Sequence, residues 1–194
     1  SERSGLLREA DGGVLFLDEV DELGLAEQAI ILHAVETGRF YPLGSDHEIS
    51  SRFQIIAGAS RDLRTLASKG QFRPDLLARL TTWRFDLPPL RVRGEDVEPN
   101  LTYELARAEK DLGTEVGFNA DARAQYLAFA TDPSTPWPGN FRVFSGSLRR
   151  MCTLAPRGRI TRAMVKDEIE TLQRDWSTAL ADPDARLIES VMGP

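Results

Sequence analysis

The sequence predicts an α/β block followed by an all-helical block. Two short apolar runs, "VLFL" at 14–17 and "FQIIAGAS" at 53–60, each lead into acidic or small polar residues, as buried parallel strands do. The pair Pro88–Pro89, followed by "RVRGED", closes the mixed region, and beyond it the apolar patterns have only helical period. The expected division is residues 1–90 for the α/β block, 91–176 for the helical block and 177–194 for a linker.

Each element follows in order. In "GGVLFLDEV" the run from Val14 to Leu17 ends on Asp18 and Glu19. This reads as a buried strand delivering charge to its C-terminal edge, where open α/β sheets build their sites. "GLAEQAIILHAVETG" predicts a helix with Ala26, Ile30 and Ala34 on one side and Gly38 as its stop. The turn-rich "RFYPLGSDHEISSR" predicts a hairpin or loop. A second buried strand, 53–60, ends at Ala59-Ser60, and "RDLRTLASKGQFRPDLLARL" predicts two short helices broken around Gly70. "TWRFDLPPL" alternates Trp83, Phe85 and Leu87 against Arg84 and Asp86, the period of a half-buried strand with Arg84 facing solvent.

Past the prolines, Val97, Leu101, Leu105, Ala108 and Leu112 share a helix face that Gly113 ends. Asn119 is the expected N-cap of "NADARAQYLAFA". "GNFRVFSGSLRRMCTLA" carries Phe141, Phe144, Leu148 and Cys152 at helical spacing, and "TRAMVKDEIETLQRDW" opens on a Thr cap. The tail "ADPDARLIESVMGP" begins another apolar pattern and stops.

Composition narrows the function. Hydrophobic residues make up 41% of the chain, enough for a real core. Lys plus Arg number 24 against 30 Asp plus Glu, a net charge of −6, which argues against gripping nucleic acid by bulk electrostatics. A lone cysteine forms no internal disulfide, and without a signal peptide in view a reducing cytoplasm is expected. No apolar stretch approaches the roughly 20 residues of a membrane helix. Two histidines and one cysteine do not make a zinc site.

Three groups of residues are candidates for chemistry. Asp18 and Glu19 suit a magnesium ligand and a water-orienting base, although Asp-Glu can equally end a strand and cap a helix. Arg73 and Arg79 straddle a short helix, where a planar guanidinium could stabilise a transferring phosphoryl group or simply face solvent. Arg142 falls in the first turn of the helix after "PWPGN", where the helix dipole favours acid rather than base. A residue that breaks a local rule is a functional suspect.

In their order, "GGVLFLDEV", "IIAGASRDL", "FRPDLLARL", "LPPLRVRGEDV" and "PWPGNFR" resemble one family: the AAA+ ATPase domain of bacterial sigma-54-dependent transcription activators. Within it, "GRFYPLGSD", "SSRFQIIAG" and "EDVEPNLTYE" are most similar to regulators of an RNA-repair operon encoding an RNA 3′-phosphate cyclase and an RNA ligase. The resemblance implies a partial P-loop NTPase AAA+ fold, lacking the phosphate-loop strand, with an all-helical lid. It makes Asp18 and Glu19 the Walker B magnesium ligand and catalytic carboxylate. Ser60 falls at sensor I, where the family usually has Thr-Asn, and a hydroxyl makes fewer bonds than an amide. Arg73 and Arg79 match the arginines that reach a neighbouring subunit's ATP, and Arg142 matches sensor II.

The cofactors so implied are ATP and Mg2+. The partners are sigma-54 RNA polymerase, other copies in a ring (a hexamer in the family), and promoter-upstream DNA bound through a helix-turn-helix beyond Pro194. No membrane partner is expected. The opening "SERSGLLREADGG" resembles the segment just after the family's GAFTGA loop. The chain is therefore expected to start downstream of both that loop and the phosphate loop, and not to bind ATP tightly by itself. A self-association or scaffold module, and another AAA+ motor, remain the competing readings.

Overall fold

The computed structural model describes residues 5–42 and 44–181. The expected tail pattern beyond Ala181, and most of the linker, lie outside the described residues. The described chain divides into two compact units, one ending at Phe85 and the other starting at Asp86.

The first unit runs α1 (Leu6–Glu9), β1 (Val14–Leu17), a 3-10 turn (Val20–Glu22), α2 (Leu25–Thr37), β2 (Arg39–Phe40), β3 (Ile49–Ser50), β4 (Gln54–Ala57), α3 (Leu63–Ser68) and α4 (Pro74–Leu80). β1 and β4 pair in parallel, with Val14 opposite Gln54 and Leu17 opposite Ala57. β2 and β3 form the antiparallel hairpin expected of the turn-rich segment. Gly38 closes α2 at φ 66°, a left-handed position that glycine adopts without Cβ strain.

Three expectations change here. Both strands are covered on one face only: Leu15 is buried, whereas Val14, Phe16 and Ile56 are exposed. The buried residues of α2 are Gln28, Leu32 and Ala34, while Ile30 is exposed and Ala26 is open to solvent. The apolar phase was misjudged because a glutamine occupies its centre. Finally, residues 83–87 form no strand, and Trp83, Phe85 and Leu87 are 81%, 85% and 88% exposed. A strand exists only through its hydrogen-bonded neighbour, and among the described residues no strand forms a ladder with this segment. Arg84, expected merely to face solvent, contributes to holding the Asp62 carboxyl below its usual value. Burial pushes Asp62 upward, and hydrogen bonds from Arg64 and Thr65 together with the Arg84 charge outweigh it.

Leu32, Leu66, Phe72 and Leu76 make the first unit's core, between α2, α3 and α4. The second unit has two 3-10 turns (Leu90–Val92, Gly94–Asp96), then α5 (Val97–Leu112), β5 (Gly117–Phe118), α6 (Ala120–Ala130), α7 (Asn140–Leu154), β6 (Arg159–Ile160) and α8 (Arg162–Ala181). The break between units precedes Leu90, which is 1% exposed in the second core and donates its N–H to Asn140 Oδ1 at 2.8 Å. Gly113 ends α5 at φ 67°. Asn119 stands at the N-cap of α6 without a side-chain capping bond, and α8 continues past Trp176.

Trp137 centres this core, packing edge-on against Phe129, Phe144 and Trp176 at centroid distances of 5.8, 5.5 and 5.6 Å. Its indole N–H reaches the Ala130 carbonyl at 3.1 Å. The turn that follows is tight, with Trp137, Gly139 and Asn140 all at positive φ.

Candidate functional site

β1 hands the chain to two exposed carboxylates. Asp18 Oδ1 accepts the Glu19 N–H at 3.0 Å. Glu19 lies at φ 54°, ψ 45°, a left-handed conformation that costs a non-glycine residue of order 1–2 kcal/mol. Pairing with β4 continues past both strand ends: the Gly58 N–H donates to the Leu17 carbonyl at 2.8 Å, and the Gly58 carbonyl accepts the Val20 N–H at 2.9 Å. Asp18–Glu19 and Gly58–Ser60 therefore share one edge of the sheet. Gly58 lies so near that a Cβ there would sit 2.8 Å from Asp18 Oδ1.

Behind this edge is a network that sequence reasoning missed. Asp21 is 7% exposed and accepts the backbone N–H groups of Ser60 and Arg61 at 3.2 and 3.3 Å and Arg61 Nε at 3.0 Å. Arg61 Nη2 donates to the Asp21 carbonyl at 2.6 Å and to Glu22 at 2.7 Å. Burial works to raise the Asp21 pKa, but the Arg61 side chain and the backbone donors of Ser60 and Arg61 outweigh it, so the carboxyl sits below the ordinary value. Asp21 thereby fixes the backbone of Ser60, whose side chain stays exposed. The partners lie about 40 residues apart in sequence, and no local pattern signals such a pair.

Arg73 is the N-cap residue of α4, ahead of Pro74. Its backbone N–H donates to Gln28 Oε1 at 2.8 Å. Its guanidinium makes a fork with Asp75, Nε to Oδ1 at 3.1 Å and Nη2 to Oδ2 at 2.7 Å. Arg79 stands exposed in the last turn of the same helix. The two arginines thus bracket α4 rather than share a contact. Arg142 belongs to the second unit, in the first turn of α7, with its N–H on the Gly139 carbonyl at 3.1 Å. It lines a concavity of about 260 Å³ with Glu104, Arg107, Asp111, Ser145 and Arg149.

Mg2+ takes one or two carboxylates and completes its shell with water and substrate phosphates. The exposed Asp18 oxygens suit that arrangement. Among the described residues, no group of three or more His, Cys, Asp or Glu forms an all-protein metal cage. Among them, too, no helix is long and apolar enough to cross a membrane.

Parallel strands carrying a carboxylate pair, backed by short helices and followed by a helical unit, define a partial P-loop AAA+ fold. Over 95% of this chain it is similar to the structure of NtrX from Brucella abortus in complex with ATP (TM-score 0.74, 26% identity, 43% of that chain). Residues 1–86 match the family described as the Sigma-54 interaction domain.

Along its length the chain is similar to sigma-54-dependent transcriptional regulators. It is 52% identical to the transcriptional regulatory protein RtcR of Escherichia coli K12 over 96% of its own length and 36% of that protein. It is 37% identical to the anaerobic nitric oxide reductase transcription regulator NorR of Citrobacter koseri, over 94% of its length and 35% of that protein. The chain thus spans about a third of the length of these relatives.

Proposed function

We propose that this chain is the downstream part of an AAA+ ATPase module that couples ATP hydrolysis to transcription activation. The observation that carries the reading is the continued pairing of β1 and β4, with Asp18–Glu19 and Gly58–Ser60 at one sheet edge. Asp18 holds the Mg2+ of a bound ATP, and the ion supplies neutralisation of phosphate charge. Glu19 orients the attacking water, accepts its proton, and is aimed by its left-handed backbone. Ser60 faces the γ-phosphate as a short sensor I hydroxyl, on a backbone fixed by Asp21.

Arg73 and Arg79 complete the site of the next subunit in a ring, six subunits in all, and Arg142 reads phosphate from the helical lid of its own subunit. Turnover remodels the closed complex of sigma-54 RNA polymerase into an open one, in the bacterial cytoplasm. The 52% identity to RtcR supports control of an RNA-repair operon. Promoter-upstream DNA is then held by another domain, in keeping with the acidic balance of this one.

ATPase turnover of this chain, beside the same chain extended upstream through a phosphate loop, tests the reading. Only the extended protein is expected to hydrolyse ATP, and Glu19→Gln or Arg79→Ala should abolish it, since an arginine finger is worth about 10³–10⁵ in turnover. If both are inactive at concentrations where they self-associate, the chain is a scaffold module instead. Glu19-dependent turnover by the chain alone would overturn the split-site arrangement.

A further inference from the structure

One buried polar side chain has no part in the chemistry above. Gln28, on α2, is 0% exposed, and its amide is engaged on both ends. Nε2 donates to the Leu23 carbonyl at 2.7 Å and to the Gln71 carbonyl at 3.1 Å, while Oε1 accepts the Arg73 N–H at 2.8 Å. Leu23 caps the 3-10 turn that leaves the Asp18–Glu19 edge. Gln71 and Arg73 belong to the loop between α3 and α4. A single amide therefore joins the segment leaving the carboxylates to the loop that presents Arg73.

The chemistry selects the residue. Two carbonyls and one N–H need two donors and one acceptor on one short side chain, which is the inventory of a carboxamide. An apolar residue would leave all three backbone groups without this partner in a site closed to water, and glutamate would bring no donor. Glutamine also sits in the apolar phase of α2, one turn before Leu32, where a leucine would serve packing better. Packing alone does not account for it.

We propose that Gln28 is a positioning residue that holds Arg73 in register with the Asp18–Glu19 turn, linking each subunit's own carboxylate edge to the arginine it offers its neighbour. This rests on the proposed roles of Glu19 and Arg73. Gln28 acts only through the backbone of Arg73. Its loss therefore damages the neighbouring subunit's active site and spares the site in its own subunit.

Mixed rings of a full-length protein carrying this segment separate the cases. Glu19→Gln and Arg73→Ala should each be inactive alone and regain turnover when mixed, because each supplies what the other lacks. Gln28→Leu alone should lose about 10²-fold in kcat, the scale of a misplacement near 1 Å, with KM for ATP unchanged. It should regain turnover when mixed with Glu19→Gln and not when mixed with Arg73→Ala. If Gln28→Leu does not fold, Gln28→Asn keeps the amide, falls one methylene short and enters the same mixtures.

Wild-type turnover in Gln28→Leu overturns the proposal. So does loss that Glu19→Gln subunits fail to rescue: rescue with Arg73→Ala subunits instead would place the damage at the carboxylate edge of the same subunit, and rescue with neither would mark a purely structural amide. Failure of the Arg73→Ala and Glu19→Gln mixture removes the reading beneath it, and the proposal with it.

Discussion

Gly58 and Asp18 are so close that a single methyl group added to the glycine would lie 2.8 Å from the aspartate Oδ1. The atom in the way is the end of a flexible side chain, so the fold can yield by turning the carboxylate aside. Gly58→Ala should therefore cost little stability, under about 1 kcal/mol, and yet lower Mg2+-dependent ATP turnover of the upstream-extended protein by about 10²-fold. Urea unfolding and turnover measured on the same preparations check the separation. Equal losses in both would mean that Gly58 serves the fold alone.

The Asp21–Arg61 network makes stability depend on pH. The folded Asp21 pKa lies below its ordinary value of 3.8, so its contribution is fully present above the unfolded pKa and disappears as pH falls through the folded one. Asp21→Asn should lower stability at neutral pH by about 1–3 kcal/mol, the scale for a buried charge-assisted bond. The gap to wild type should close in acid below the ordinary carboxylate range. A gap that stays constant from neutral pH into that range would remove Asp21 ionisation as its cause.

Gly158 carries a backbone constraint in the second unit. It lies at φ 71°, and a Cβ there would fall 1.9 Å from the Glu115 carbonyl oxygen. That atom is backbone, in the segment leading to β5, and β5 pairs with β6 directly after Gly158. Gly158→Ala should cost of order 1–3 kcal/mol from the left-handed strain alone, more when the displaced carbonyl is added. A urea midpoint equal to wild type would show that the crossing is looser than described.

Cys152 should be inert in the native chain. It is 3% exposed, and burial pushes its thiol up to about 11, so its thiolate fraction near pH 8 is on the order of 10⁻³. Iodoacetamide at pH 8 should leave the folded chain unmodified over a period that fully labels it in urea. Equal labelling rates would place Cys152 at the surface.

Much of this molecule was legible locally. Gly38 and Gly113 stop their helices, the hairpin falls in the turn-rich segment, and Asp18 and Glu19 end a strand. Chain stiffness, capping and apolar period act over a few residues, and those residues are adjacent in the sequence. Partners far along the chain were not legible. Asp21 meets Arg61, Gln28 meets Gln71 and Arg73, and Leu90 belongs to the second core through Asn140.

The segment 83–87 shows the limit most plainly, since its alternation is right for a strand and it forms none. By itself the sequence determined which segments become helices and turns and where the charged residues fall along them. The tertiary structure decided which faces are covered, which carboxylate is buried and which arginine is held. Burial and hydrogen bonding depend on what the fold brings alongside, and a local pattern records only one side of each contact.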